Sequence, residues 1–207
     1  MERGAGQHLG TPLMPTDWEA HYQKGETPWD NGAASPGLVD FLAQEPVRGR
    51  VLVPGCGLGH DVRALAATAD EVVGIDIAPS AVEAAERIPR VRAERYALAN
   101  LFDLPVPLRG AFDVVWEHTC FCAIDPALRP AYVEAVAEAL RDGGLLIAMF
   151  YLDPGQDSPD EGPPFEVSLA ELDRLFLPRF ELLREWLPER AHPGREGREW
   201  MRLLRRR

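Results

Sequence analysis

The run Val51-Leu52-Val53-Pro54-Gly55-Cys56-Gly57-Leu58-Gly59-His60-Asp61, followed by Glu71-Val72-Val73-Gly74-Ile75-Asp76, holds the residues best placed to do chemistry. The first run reads as a buried strand, a glycine turn and a helix start, and the second as a strand ending in a carboxylate. Glycines at 55, 57 and 59 let the backbone turn sharply and leave room for a ligand to lie against it. Asp76 can accept hydrogen bonds from both hydroxyls of a ribose. Together the two runs predict a site for an adenosine-bearing molecule at the top of a parallel sheet.

The dinucleotide fingerprint G-x-G-x-x-G would need a third glycine at position 60, where this chain has His60. The spacing here is G-x-G-x-G, which resembles the nucleotide loop of the Rossmann-like S-adenosylmethionine methyltransferases. A pyrophosphate favours bare backbone N–H groups at a helix N-terminus, where the helix dipole is positive. S-adenosylmethionine has no phosphate and so tolerates the imidazole of His60 and the carboxylate of Asp61. The acid that many such methyltransferases carry two positions before the first glycine is replaced by Val53. An NAD(P) oxidoreductase and a nucleotide-binding module without turnover stay open as alternatives.

At 207 residues the chain is long enough for one domain with a sizeable core. Its 22 basic and 33 acidic residues give a net charge of −11, a surface that repels phosphate backbones and anionic lipid. Neither nucleic acid nor membrane is therefore expected as a partner. Three cysteines make no disulfide framework and suit a reducing cytoplasm, and no apolar run approaches twenty residues. A charged-then-apolar leader is not visible at the start of the sequence. A cytoplasmic monomer is expected.

Residues 1–16, rich in Gly, Pro and small polar types, are expected to be flexible, and 17–207 to form a single domain. Asp17 to Tyr22 reads as a short helix, and Pro36 opens another carrying Leu38, Phe41 and Leu42. Strands are predicted at 51–53, 72–75, 91–96, 112–116, 145–152, 180–187 and 200–204. Helices are predicted after His60, after Pro79, from Asp125-Pro126 to the Gly143-Gly144 pair, and at 171–177. Strands alternating with helices imply an α/β, Rossmann-like, doubly wound sheet of seven mostly parallel strands, helices on both faces and an antiparallel last strand.

Four separated stretches carry a narrower resemblance. Trp18…Tyr22…Gly25-Glu26-Thr27-Pro28-Trp29-Asp30 resembles the N-terminal signature of the thiopurine, thiol and halide methyltransferase family. Val53-Pro54-Gly55-Cys56-Gly57-Leu58-Gly59-His60-Asp61 resembles its cofactor loop, including the apolar residue at 53. Phe112-Asp113-Val114-Val115-Trp116-Glu117-His118-Thr119-Cys120-Phe121-Cys122-Ala123-Ile124 is similar to its fourth strand and following loop. Tyr151-Leu152-Asp153-Pro154 with Gly162-Pro163-Pro164-Phe165 is similar to the loop rimming its acceptor pocket.

The resemblance implies S-adenosyl-L-methionine as cofactor, held by Trp18, Trp29, Gly55, Cys56, Gly57, Gly59, Asp76, Ile77, Asn100, Leu101, Phe102 and Glu117. It implies a small-molecule acceptor facing Tyr22, His118, Tyr151, Pro164 and Phe165, and a lid over 17–35. Asn100 suits adenine because its amide both donates and accepts. Indole faces at Trp18 and Trp29 could cover a sulfonium by cation–π attraction, or could simply pack on the core. His118 stands where the family has tyrosine in halide- and thiol-type members and arginine in the thiopurine type.

Methyl transfer from a sulfonium is an in-line displacement, so the work lies in placing and desolvating the nucleophile. A thiol with a pKa of about 8.5 must lose its proton, and an imidazole of pKa about 6.5 at His118 could take it. Halide or thiocyanate needs no base. The expected reaction is methylation of a small soft nucleophile (thiol, thiopurine, thiocyanate or halide), with O- or N-methylation of another small molecule as the alternative. His118, Cys120 and Cys122 are too tightly spaced for the usual zinc patterns, and no metal is expected.

Overall fold

The computed structural model describes residues 16–155 and 162–207. The segment expected to be flexible lies, apart from Thr16, outside the described residues.

Asp17 starts the first helix, α1 (Trp18–Lys24), by accepting from the Ala20 N–H at 3.0 Å, and Gly25 ends it in the left-handed conformation. Ser35 and Pro36 open α2 (Pro36–Gln44). The alternating core then begins: β1 (Arg50–Pro54), α3 (His60–Ala66), β2 (Glu71–Asp76), α4 (Pro79–Arg87), β3 (Arg95–Leu98) and β4 (Phe112–His118). It continues with α5 (Arg129–Ala139), β5 (Leu140–Tyr151), α6 (Leu169–Phe176), β6 (Phe180–Trp186) and β7 (Glu199–Arg206).

The seven strands form one sheet in the order β3-β2-β1-β4-β5-β7-β6. Strands β1 to β5 run parallel, while β7 enters between β5 and β6 and is antiparallel to both. The chain winds outward from β1 to β3 and then returns to place β4 on the other flank of β1. That reversal opens a crevice beyond the ends of β1 and β4, where ligands sit in open α/β sheets.

Both faces of the sheet are covered, and strand alternation decides which side chain goes where. Val51 and Val53 of β1, Trp116 of β4 and Met149 of β5 pack with Leu38, Phe41, Val62 and Leu65 of α2 and α3. Leu52, Val115, Leu146 and Ala148 point the other way, onto Tyr132, Val136, Leu172 and Phe176 of α5 and α6.

Two element boundaries differ from the sequence expectation. Strand β3 starts at Arg95 rather than near Val91, because the Glu94 carboxylate accepts from the N–H groups of Val91 and Arg92 and holds that stretch in a turn. Asp125 caps only a 3₁₀ turn (Pro126–Leu128), and α5 ends at Ala139 instead of the glycine pair. Fully buried Leu140 is already extended and pairs with Phe112, so Gly143 and Gly144 lie where β5 shifts register against β4.

Gly59 caps α3 at φ +74°, and a Cβ there would lie 2.4 Å from the Tyr96 ring. Gly59→Ala therefore combines left-handed strain with overpacking and is expected to cost about 3 kcal/mol in urea unfolding. A loss below about 1 kcal/mol would show that neither constraint operates.

Candidate active site

A cavity of about 940 Å³ opens at the C-terminal ends of β1, β2 and β4. Its floor is the glycine turn after β1, held down by β2. The Cys56 N–H donates to the Ile75 carbonyl at 3.0 Å, and the Gly57 N–H donates to Asp76 Oδ2 at 2.9 Å. Asp76 Oδ1 accepts from the Ala78 N–H at 3.0 Å, so one carboxylate ties the loop to the start of α4. Burial pushes this carboxyl up, while the N–H donors of Ala78 and Gly57 hold it down. Gly57 has φ +51°, and a Cβ there would stand 2.9 Å from the Tyr22 hydroxyl, so the close approach needs glycine.

Asn100, Leu101, Phe102 and Ile77 line the side of the cavity next to Asp76. The Asn100 oxygen accepts from the Phe102 N–H at 3.0 Å, which leaves the amide N–H₂ as the half without a partner among the described residues. Leu101 is buried, whereas Phe102 and Ile77 are large apolar side chains left open at the rim.

Trp18 and Trp29 form the roof. Their rings meet edge to face at 5.3 Å, and α1 buries none of its residues in the core. Trp29 Nε1 donates to the Tyr22 hydroxyl at 3.3 Å. Glu19 accepts from the N–H and hydroxyl of Ser80 on α4, and His60 Nε2 lies 3.2 Å from Asp30. These polar ties fasten the roof without a hydrophobic seam. Tyr22, expected on the acceptor side, lies over Gly57, and burial together with Asp76 pushes its phenol well up.

Opposite the glycine turn is a buried charge cluster. Asp61, in the first turn of α3, accepts from the Ser35 N–H, from Trp116 Nε1 and from His118 Nδ1, each at 2.8 Å. His118 Nε2 lies 3.5 Å from Glu199 Oε1, an ion-pair separation longer than a good hydrogen bond. Arg195 Nη1 lies 3.3 Å from the same oxygen. Burial alone would pull the His118 imidazole down, but the carboxylates of Asp61 and then Glu199 outweigh it and push the pKa up to about 9. Burial raises Asp61 and Glu199, and the His118 charge brings both below their ordinary values. His118 is thus an imidazolium at neutral pH, not the neutral imidazole with an ordinary pKa that the sequence suggested.

Tyr151, Pro164 and Phe165 wall the half of the cavity away from Asp76, together with Ile124, Leu128 and the loop residues His192 to Arg195. The Arg195 guanidinium lies 5.1 Å over the Tyr151 ring. Two residues expected at the cofactor do not line the cavity. Gly59 is turned to Tyr96, and Glu117, 1 % exposed, accepts from the Phe121 N–H and the Tyr132 hydroxyl. Alternation along β4 explains Glu117: Trp116 and His118 face α3, so the residue between them faces α5. Cys120 and Cys122 are free thiols that burial holds protonated, Cys122 up to about 12. Sequence reasoning missed Glu199, His192 and Arg195 and gave Asp61 no partner; no local pattern marks them, because the fold brings them to His118 from separate elements.

The residues suit S-adenosylmethionine better than a dinucleotide. Asp76 keeps lone pairs for ribose hydroxyls, the aromatic roof suits a sulfonium, and the volume fits a cofactor with a small acceptor. Among the described residues, the first turn of α3 offers a pyrophosphate no free cation: His118 is already paired with Asp61, and nearby Arg63 is committed to the Leu58 carbonyl and the Tyr96 hydroxyl. A second hollow of about 540 Å³, lined by Arg48, Asp113 and Arg141, lies at the opposite end of the strands and shares none of these groups.

The folded protein keeps the His118 proton to about pH 9, whereas an unfolded histidine loses it near pH 6.5. This contribution to stability is complete below pH 6.5 and is lost as pH rises toward 9. The unfolding free energy should fall over that window. His118→Gln, which leaves Asp61 without its cation and Glu199 with Arg195 alone, should lower it by about 3 kcal/mol at pH 6 and remove the slope. A variant as stable as the wild type with the same slope would contradict the charge assignment.

The family model described as thiopurine S-methyltransferase matches residues 13–193. Probable thiol methyltransferase 2 of Arabidopsis thaliana is 33% identical over 188 residues, covering 88% of this chain and 81% of the relative. Thiocyanate methyltransferase 1 of Brassica oleracea is 37% identical over 167 residues, covering 78% and 71%. The structure of Burkholderia thailandensis 1,6-didemethyltoxoflavin-N1-methyltransferase, with 1,6-didemethyltoxoflavin and S-adenosylhomocysteine bound, superposes with a TM-score of 0.69 at 19% identity, covering 91% and 84%, a likeness of fold. Signature stretches, sheet order and cofactor cradle agree with the family model: the chain belongs to the thiopurine S-methyltransferase family and is an S-adenosylmethionine-dependent methyltransferase.

Proposed function

We propose that the enzyme methylates a small, soft nucleophile, with sulfur as the preferred acceptor atom. The observation that carries this reading is the acceptor half of the cavity, where Ile124, Leu128, Pro164 and Phe165 make an apolar wall beside a charge-balanced cluster. Polarisable sulfur loses less than oxygen or nitrogen when such a wall strips it of water. Relatives named for thiol and thiocyanate methylation support the same class.

Bound S-adenosylmethionine supplies an electrophilic methyl carbon. Asp76 would hold the ribose hydroxyls, the Asn100 amide and the Leu101 backbone would meet the base, and the Gly55-Cys56-Gly57 turn would let the chain approach closely. Residues 17–35, with Trp18 and Trp29 facing the cavity, act as a lid that excludes water once the site is filled. His118 is a positioning residue here. Both of its nitrogens face carboxylates, so its role is to fix the end of β4 against α3 and β7 rather than to remove a proton. Tyr151, Pro164 and Phe165 hold the acceptor against the methyl group.

Among the described residues no helix is long and apolar enough to cross a membrane. A small-molecule acceptor, a monomeric state and a cytoplasmic location belong to the same reading.

Incubation with labelled S-adenosylmethionine and a panel of thiols, thiopurines, thiocyanate, iodide, phenols and amines tests it. Label is expected on sulfur or halide. Label only on oxygen or nitrogen would replace the acceptor class and leave the cofactor in place.

A further inference from the structure

With His118 holding its proton between two carboxylates, a thiol acceptor needs another base. We propose that His192 is that base for acceptors that arrive as neutral compounds bearing an S–H bond. The inference rests on the proposed methylation of sulfur.

His192 belongs to the loop joining β6 to β7. It lines the acceptor half of the cavity, is 6 % exposed, and stacks on His118 with ring centroids 6.4 Å apart and planes 16° apart. Among the described residues its ring makes no hydrogen bond, so its nitrogens are uncommitted. Four charged groups face it: His118 from β4, Asp61 from α3, Glu199 from β7 and Arg195 from its own loop. Burial, then the cations His118 and Arg195, lower its pKa, so it stays neutral where His118 is charged. Two stacked imidazoles thus divide the work at neutral pH, one holding a proton and the other able to take one.

The chemistry balances. The acceptor's S–H bond breaks and its proton moves to a His192 ring nitrogen. The sulfur electron pair forms the new S–CH₃ bond. The pair of the broken sulfonium–methyl bond stays on the sulfur of S-adenosylhomocysteine. The cations His118 and Arg195 favour the thiolate while they keep His192 neutral. Once His192 is protonated, repulsion from His118 drives that proton out to solvent and restores the base.

The experiment compares the wild type with His192→Gln, using an aliphatic thiol and a more acidic aryl thiol across pH. With the wild type, kcat/KM for the aliphatic thiol should rise with a midpoint below the ordinary histidine value of about 6.5 and level off above it. The variant should be roughly 100-fold slower at pH 7 and should recover as pH passes the thiol pKa of about 8.5. Its loss should be smaller for the aryl thiol. A readout independent of turnover is the thiolate absorbance of the aryl thiol bound with S-adenosylhomocysteine, which should be present in the wild type and diminished in the variant at equal occupancy. In the wild type alone it should vanish as pH falls through the His192 pKa, which keeps the test valid if the variant does not fold.

A variant with the wild-type profile, or one slowed equally at all pH values, would overturn the assignment while sulfur methylation stands. A wild type that binds S-adenosylhomocysteine yet methylates no thiol would refute the proposed function, and this inference with it.

Discussion

The Asp61 carboxylate is the constraint on which the site depends. A buried carboxylate is costly unless its lone pairs are filled, and three donors fill these: the Ser35 N–H, the Trp116 indole and the His118 imidazolium. They come from the N-cap of α2 and the end of β4, and Asp61 itself stands on the first turn of α3. Through His118 the link continues to Glu199 at the start of β7, and from there to Arg195. One ionised group therefore fixes four elements at the edge of the crevice. Because opposite charges balance inside the cluster, the wall it makes is rigid without imposing a strong field of one sign.

That rigid wall faces a cover built on different principles. Helix α1 has no buried residues and is held by Glu19 on Ser80, His60 on Asp30 and the Tyr22–Trp29 hydrogen bond. Partly exposed polar contacts of this kind are individually modest. On the proposed reading, the bonded wall and the polar-tied roof are the two parts that would admit a cofactor and then exclude water. The glycine turn, pinned by Asp76, joins them.

Much of this was legible in the sequence, for physical reasons. The β1–turn–α3 unit and the acid ending β2 are local patterns, and parallel strands buried on both faces show as apolar runs. Asp76, Asn100 and the aromatic pair, which the fold brings to one cavity, each sit in a short, recognisable stretch. Glu117 was misplaced because its family-like neighbourhood says nothing about which way β4 alternates, and Tyr132, its true partner, lies on α5. The charge of His118 was invisible for a related reason: its carboxylates stand on α3 and β7 and meet it only through the sheet order. His192 lies in what reads as a connector, and only the return of β7 beside β5 brings it over His118.

The central claim is that His118 is an imidazolium at neutral pH within the Asp61 cluster. Its ring resonances, followed by NMR in isotope-labelled protein and assigned by comparison with a variant lacking it, report this directly. The account predicts that His118 keeps both ring protons until about pH 9. A midpoint at or below the ordinary histidine value of about 6.5 would contradict it, and would return His118 to the role of a neutral base.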